Sequence, residues 1–216
     1  MKIHGGWTVA VLVAVAAPIG VDAGQSPVSN AGVPTVVEVR GGTASFDVGT
    51  NIPALRVHGK SSQVEANARL REQESGILLT EVKAVVPVRT LSTGLGLRDE
   101  HMRRYVFTTS DGQTPDVRFT SDKAECAMPS RQATTCRVDG QLTIRGVVRP
   151  FAVALKLTRD GALYRAVGDG LMKLSDYGIP LPTQLGVSTS DEVKLHLEFA
   201  ATPGVGQTVA TTGGGR

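Results

Sequence analysis

The sequence predicts an all-β fold, about eight antiparallel strands in one curved sheet with one short helix. Three observations carry that prediction. The dominant hydrophobic period from Val36 onward is two, the mark of strands with one buried face. Turn signals such as Arg159-Asp160-Gly161 separate the runs. Helical periodicity occurs once, over residues 97–107.

The strands follow in order. Alternating runs are read at 43–49, 55–70, 77–88, 115–125 and 163–174. The pattern is cleanest in three further runs. At 138–144, Val138, Gly140, Leu142 and Ile144 alternate with Asp139, Gln141 and Thr143. In the next, Phe151, Val153, Leu155 and Leu157 share one face, with Lys156 and Thr158 on the other. In the last, Val193, Leu195, Leu197 and Phe199 alternate with Lys194, His196 and Glu198. Strands that are half wet and joined by short turns pair antiparallel. With almost no helix to cover it, the apolar face is buried by closure into a barrel. A two-sheet sandwich buries it too, because period two serves both closures.

The helical segment LRDEHMRRYVF carries Asp99 and Glu100 early and Arg103 and Arg104 late, matching the helix macrodipole. Asp99 with Arg103 and Glu100 with Arg104 are spaced i, i+4. Leu97, Met102 and Tyr105 are available to cover part of the barrel, and the acidic side chains are expected to be solvated.

Composition bounds the class of molecule. Of 216 residues, 41% are hydrophobic and 20% charged, which describes one ordinary globular domain. The net charge of +3 is too small and dispersed for the basic stripe that a phosphate backbone requires, so no nucleic-acid partner is expected. Only nine residues are aromatic (five Phe, three Tyr, one Trp), and a wealth of Val, Leu and Ala favours an incompletely filled interior.

The chain begins as an address. Lys2, an apolar run over 7–17, and then Pro18, Gly20 and Val21-Asp22-Ala23 read as a signal peptide spanning 1–23. The run is roughly half of the ~20 residues a helix needs to cross a bilayer. Residues 24–34 and 202–216, rich in Gly, Thr and Ser, are expected to be flexible, with the barrel over 35–201. The expected location is periplasmic or secreted. In that oxidising setting Cys126 and Cys136 are expected to form one disulfide across a turn-rich connection.

Several motifs resemble the YceI-like family: FDV at 46–48, STG with RDEHM within 92–102, PDVRFTS at 115–121, GQLTIRGVVRPF at 140–151 and DEVKLHLE at 191–198. Their order and spacing fit across residues 36–201. The resemblance implies a lipocalin-like antiparallel barrel whose elongated interior binds a polyisoprenoid or related long-chain lipid. Two departures stand out. Tyr105-Val106-Phe107-Thr108 replaces the acidic-aromatic cluster that commonly follows the helix, and His58 falls later than the family's histidine after the first strand. The cysteine pair and IPLPTQLG at 179–186 are not general family marks either.

The expected ligand-binding residues are Phe46, Phe119, Leu142, Ile144, Phe151, Val153, Leu155 and Leu197, which would be ordinary core if the barrel were filled. His101 joins them as a head-group contact or a cap. No HxH, HExxH, GxSxG or complete dinucleotide fingerprint occurs, so no metal, cofactor or catalytic residue is expected. The primary reading is an exported carrier or sequestering protein for a long-chain lipid, with transient membrane contact and no covalent chemistry. The alternatives are an envelope interaction module with a packed barrel, or an enzyme acting on an isoprenoid lipid.

Overall fold

The computed structural model describes residues 35–73, 76–127, 133–161 and 163–203. The proposed signal peptide and the segment up to residue 34 lie outside the described residues, as does the chain beyond 203.

Among the described residues nine strands run β1 (Thr35–Thr50), β2 (Arg56–Gln73), β3 (Gly76–Val86), β4 (Val117–Ala127), β5 (Ala133–Ile144), β6 (Val147–Asp160), β7 (Leu163–Lys173), β8 (Thr183–Gln184) and β9 (Val187–Pro203). Eight of them form an antiparallel meander, β1 through β7 and then β9, and pairing of β1 with β9 closes the barrel. The two-residue β8 pairs only with the start of β9. The sandwich is thereby excluded: one continuous ladder leaves no second layer. β9 continues two residues past the expected boundary, where Thr202 and Pro203 pair with Glu38 and Val37.

The first four strands change phase midway. In β1, Val37 and Val39 are buried and then, past Gly42, so are Ala44 and Val48. The register between β1 and β2 shifts at that glycine. β2 passes from Ser61 to Val64, and β3 from Leu79 to Val82 around Glu81, whose left-handed φ of 52° marks the extra residue. Such bulges flip the inward set from odd to even positions. β5, β6, β7 and β9 keep a single phase throughout.

The segment between β3 and β4 holds α1 (Gly96–Met102) and a wider helical turn, Arg103–Phe107. Its apolar contribution comes from Met102, Val106 and Phe107, which pack on the core. Leu97 and Tyr105, expected to cover the barrel, are 65% and 59% exposed; Tyr105 still lines the lumen, whereas Leu97 does not. Glu100 and Arg104 lie 3.5 Å apart as spaced. Asp99 does not pair with Arg103. It is buried and accepts hydrogen bonds from Thr93 N (2.6 Å), Thr93 Oγ1 (2.5 Å) and Ser92 Oγ (2.7 Å), while Arg103 donates to the Leu91 carbonyl (3.1 Å). The expectation of a solvated carboxylate is therefore wrong for Asp99.

Cys126 and Cys136 form the expected disulfide, with Cα atoms 4.8 Å apart. The described β4–β5 ladder comprises Arg118↔Thr143, Phe119↔Leu142 and Thr120↔Gln141, so the disulfide fastens the opposite end of a thinly paired seam. The motif at 140–151 is a hairpin signature: Arg145 and Gly146 occupy left-handed conformations in its turn. Pro150 lies in the part of β6 that precedes its pairing with β7 at Ala154, so its missing donor interrupts no second ladder.

Candidate functional site

The inward faces do not fill the barrel. They enclose a cavity of about 1100 Å³, above the roughly 300–1,000 Å³ usual for ligand pockets. On β9 the wall runs from Val193 through Leu195, Leu197 and Phe199 to Ala201. Eight residue steps at about 3.3 Å make roughly 26 Å of strand, and the usual barrel tilt leaves an axial length of about 20 Å. The hollow has a compositional cause. On β2 and β3 the wall includes, among its valines and leucines, Ala66, Ala68 and Ala84, side chains too short to reach the axis.

Two buried clusters mark the ends of the lumen. One includes Val37, Leu70, Ile77, Leu157, Tyr164 and Ala201, beside the disulfide. The other includes Val48, Phe107, Ile144, Met172, Tyr177 and Val193, below the helical segment. Phe119 and Phe151, partly buried, pack against both and meet edge to face, ring centroids 6.2 Å apart.

At the far end the buried Tyr164 lines the cavity, and its hydroxyl donates to Glu72, itself bound by Arg159 at 2.5 Å. Burial, reinforced by Glu72, pushes the Tyr164 phenol up to about 12, so it stays a neutral donor at physiological pH. The other end opens to solvent. There Leu55, Leu181 and Leu185 line the cavity while 45%, 47% and 98% exposed. Asn51 ties the β1–β2 turn to this rim, donating to the Ser188 carbonyl at 2.9 Å. Ile179, from the IPLPTQLG stretch, is buried beneath it.

All nine residues expected from the sequence to contact ligand lie along this wall: Phe46, His101, Phe119, Leu142, Ile144, Phe151, Val153, Leu155 and Leu197. His101 stands at the mouth with its ring edge to face on Tyr105, centroids 5.8 Å apart. The sequence reading missed Val106, Leu181 and Leu185, which have no alternating neighbours to betray them, and named Met102 only as cover for the barrel. It also missed Ala66, Ala68 and Ala84, which change phase at bulges.

The titratable groups on the wall, among the described residues, are Arg56, Arg98, His101, Tyr105 and Tyr164. Arg98 donates to Thr93 Oγ1 (2.8 Å) and the Thr93 carbonyl (2.7 Å), and Arg56 pairs with Asp47. No Asp, Glu, Lys or Cys lines the cavity among the described residues. His196 faces outward, where hydrogen bonds from its ring to Asp169 (2.7 Å) and Glu198 (3.1 Å) raise its pKa. Among the described residues, no three His, Cys, Asp or Glu side chains gather as they would around a metal ion.

A closed eight-stranded barrel with an unfilled apolar lumen defines an architectural class, the small antiparallel barrels with room inside for a ligand. Within that class the chain belongs to the YceI-like family, whose domain profile matches residues 28–201. A UPF0312 protein of Yersinia enterocolitica is 33% identical over 123 residues, 54% of this chain and 59% of that one. One from Vibrio vulnificus is 28% identical over 131 residues, 58% and 65% respectively. The chain thus spans about three fifths of the length of these relatives.

Two solved structures share the fold. One is a polyisoprenoid binding domain from Saccharophagus degradans implicated in plant cell wall breakdown, with a TM-score of 0.56 and 14% identity over 79% of this chain and 99% of that one. The other is the YCEI protein of Campylobacter jejuni, with a TM-score of 0.57 and 20% identity over 71% and 89%.

Proposed function

We propose that this chain is an exported binding protein that holds the tail of a polyisoprenoid or other long-chain lipid inside the barrel and performs no covalent chemistry on it. The observation that carries the reading is the apolar cavity of about 1100 Å³ open at one end. Fold likeness to a structure named a polyisoprenoid binding domain supports it. Each buried methylene contributes about 0.8 kcal/mol, so one five-carbon isoprene unit gains at most about 4 kcal/mol. Association costs roughly 4 to 15 kcal/mol, so several units must be enclosed, which a lumen of about 20 Å permits.

In this reading the nine wall residues named above contact the ligand, His101 near its polar end. Residues 1–23 direct export to the periplasm or beyond, and the rim of Leu181 and Leu185 makes transient contact with a membrane. A hollow lumen removes the support for an interaction module with a packed barrel. The lack of an acidic or thiol group on the described wall favours carriage over catalysis. Native mass spectrometry of the protein purified from its exporting host tests the proposal. A bound lipid at one per chain is expected; a protein that is empty and takes up no isoprenoid alcohol would overturn it.

A further inference from the structure

Three lumenal phenylalanines are seated on glycines of the neighbouring strand. Phe46 of β1 lies over Gly59 of β2, Phe119 of β4 over Gly140 of β5, and Phe151 of β6 over Gly170 of β7. A methyl group on Gly59 would stand 2.4 Å from Phe46 Cζ, one on Gly170 2.4 Å from Phe151 Cζ, and one on Gly140 2.6 Å from Phe119 Cζ. None of the three glycines has a positive φ, so the backbone does not demand glycine there. The space occupied by the ring does. Each ring's outer end rests against a stretch of wall that has no side chain of its own, as aromatic residues do over strand glycines.

We propose that Gly59 and Gly170 are specificity-determining residues: by seating Phe46 and Phe151 against the wall, they keep the bore wide enough for a methyl-branched chain. The inference rests on the lipid-binding function proposed above and names the feature that selects the lipid. Relieving a 2.4 Å approach to an ordinary carbon contact of about 3.5–4.0 Å moves the ring by at least about 1 Å. The sheet blocks outward movement, so the ring turns into the lumen. A straight alkyl chain passes such a constriction more easily than one with a methyl branch at every fourth carbon.

Gly140 does not suit the test, since its methyl would also meet the Thr120 carbonyl oxygen within the backbone. The nearest neighbours of a methyl at Gly59 or Gly170 are side-chain atoms only. The experiment titrates the delipidated full chain and its variants with geranylgeraniol and with the straight twenty-carbon alcohol. Gly170→Ala should weaken geranylgeraniol at least tenfold and the straight alcohol less than threefold. Gly170→Ala with Phe151→Leu should return the ratio of the two affinities to within threefold of the wild type's, whatever both alcohols lose with the ring's contact.

Equal weakening of both alcohols, no weakening, or no rescue by the paired variant overturns the proposal. Should Gly170→Ala fail to fold, Gly59→Ala with its Phe46→Leu partner reads the same selectivity at the second seat. Loss of the fold at both seats overturns the proposal in favour of purely structural glycines. A wild type that binds neither alcohol defeats the binding function itself, whereas one that binds both confines any failure to the seats.

Discussion

Asp99 anchors the helical segment over the mouth. Burial alone would raise its pKa, but hydrogen bonds from Thr93 and Ser92 and the charge of Arg103 outweigh it and hold the carboxyl below its ordinary value of 3.8. A depressed folded pKa contributes stability that is whole above the unfolded value and is lost as pH falls through the folded one. Asp99→Asn replaces an acceptor with a group that presents donors to Thr93, at a cost of about 2 kcal/mol near neutral pH. Urea midpoints of the variant should lie below the wild type at pH 7 and converge with it below pH 4; a constant offset down to pH 2 would show that the carboxylate charge is not what is lost. Nothing in the order of residues marked Asp99 as buried. It sits in a charged run, and only the return of residues 92 and 93 against the helix removes it from water.

Two elements carry local irregularities that bear on stability. The disulfide closes the β4–β5 connection at a sequence separation of 10, worth about 2.5–3 kcal/mol on the chain-entropy model. Continuing the ladder from Thr120↔Gln141 would set Cys126 opposite Thr135, not Cys136, so the bond spans a one-residue slip. Replacing both cysteines by Ala should lower unfolding stability by about 2–3 kcal/mol, and reductant should then have no further effect. The β8–β9 turn carries a second departure. Leu185 is 98% exposed at φ 50°, a conformation that disfavours a branched apolar side chain and suits Asn. Leu185→Asn should therefore stabilise the fold by about 1 kcal/mol and reduce co-sedimentation with lipid vesicles; unchanged vesicle binding would remove this rim from the proposed membrane contact.

For the whole molecule, the decisive property is that closure leaves a void rather than a packed core. Interiors normally fill to crystal-like density, so a cavity this size forgoes dispersion contacts that a ligand would restore. Ala84 faces Phe119 across the β3–β4 pair and lines the void. Ala84→Trp should abolish long-chain binding while leaving the melting temperature equal or higher, because the indole fills space that is otherwise empty. Retained binding at full stoichiometry would place the ligand elsewhere.

The strands from β5 onward were legible because each keeps one alternating phase from end to end, and so Leu142, Ile144, Phe151, Val153, Leu155 and Leu197 could be assigned inward from the sequence. The disulfide pairing and the single helical segment were legible too, from compartment and from charge placement. The phase changes in β1 to β4 were not, since a bulge depends on the register against a neighbouring strand. Whether the inward side chains meet across the axis depends on distances that alternation does not encode. The barrel's bore is set by strand number and tilt, and only in three dimensions do the alanines of β2 and β3 fall short of the opposite wall and the phenylalanines lie back on their glycines.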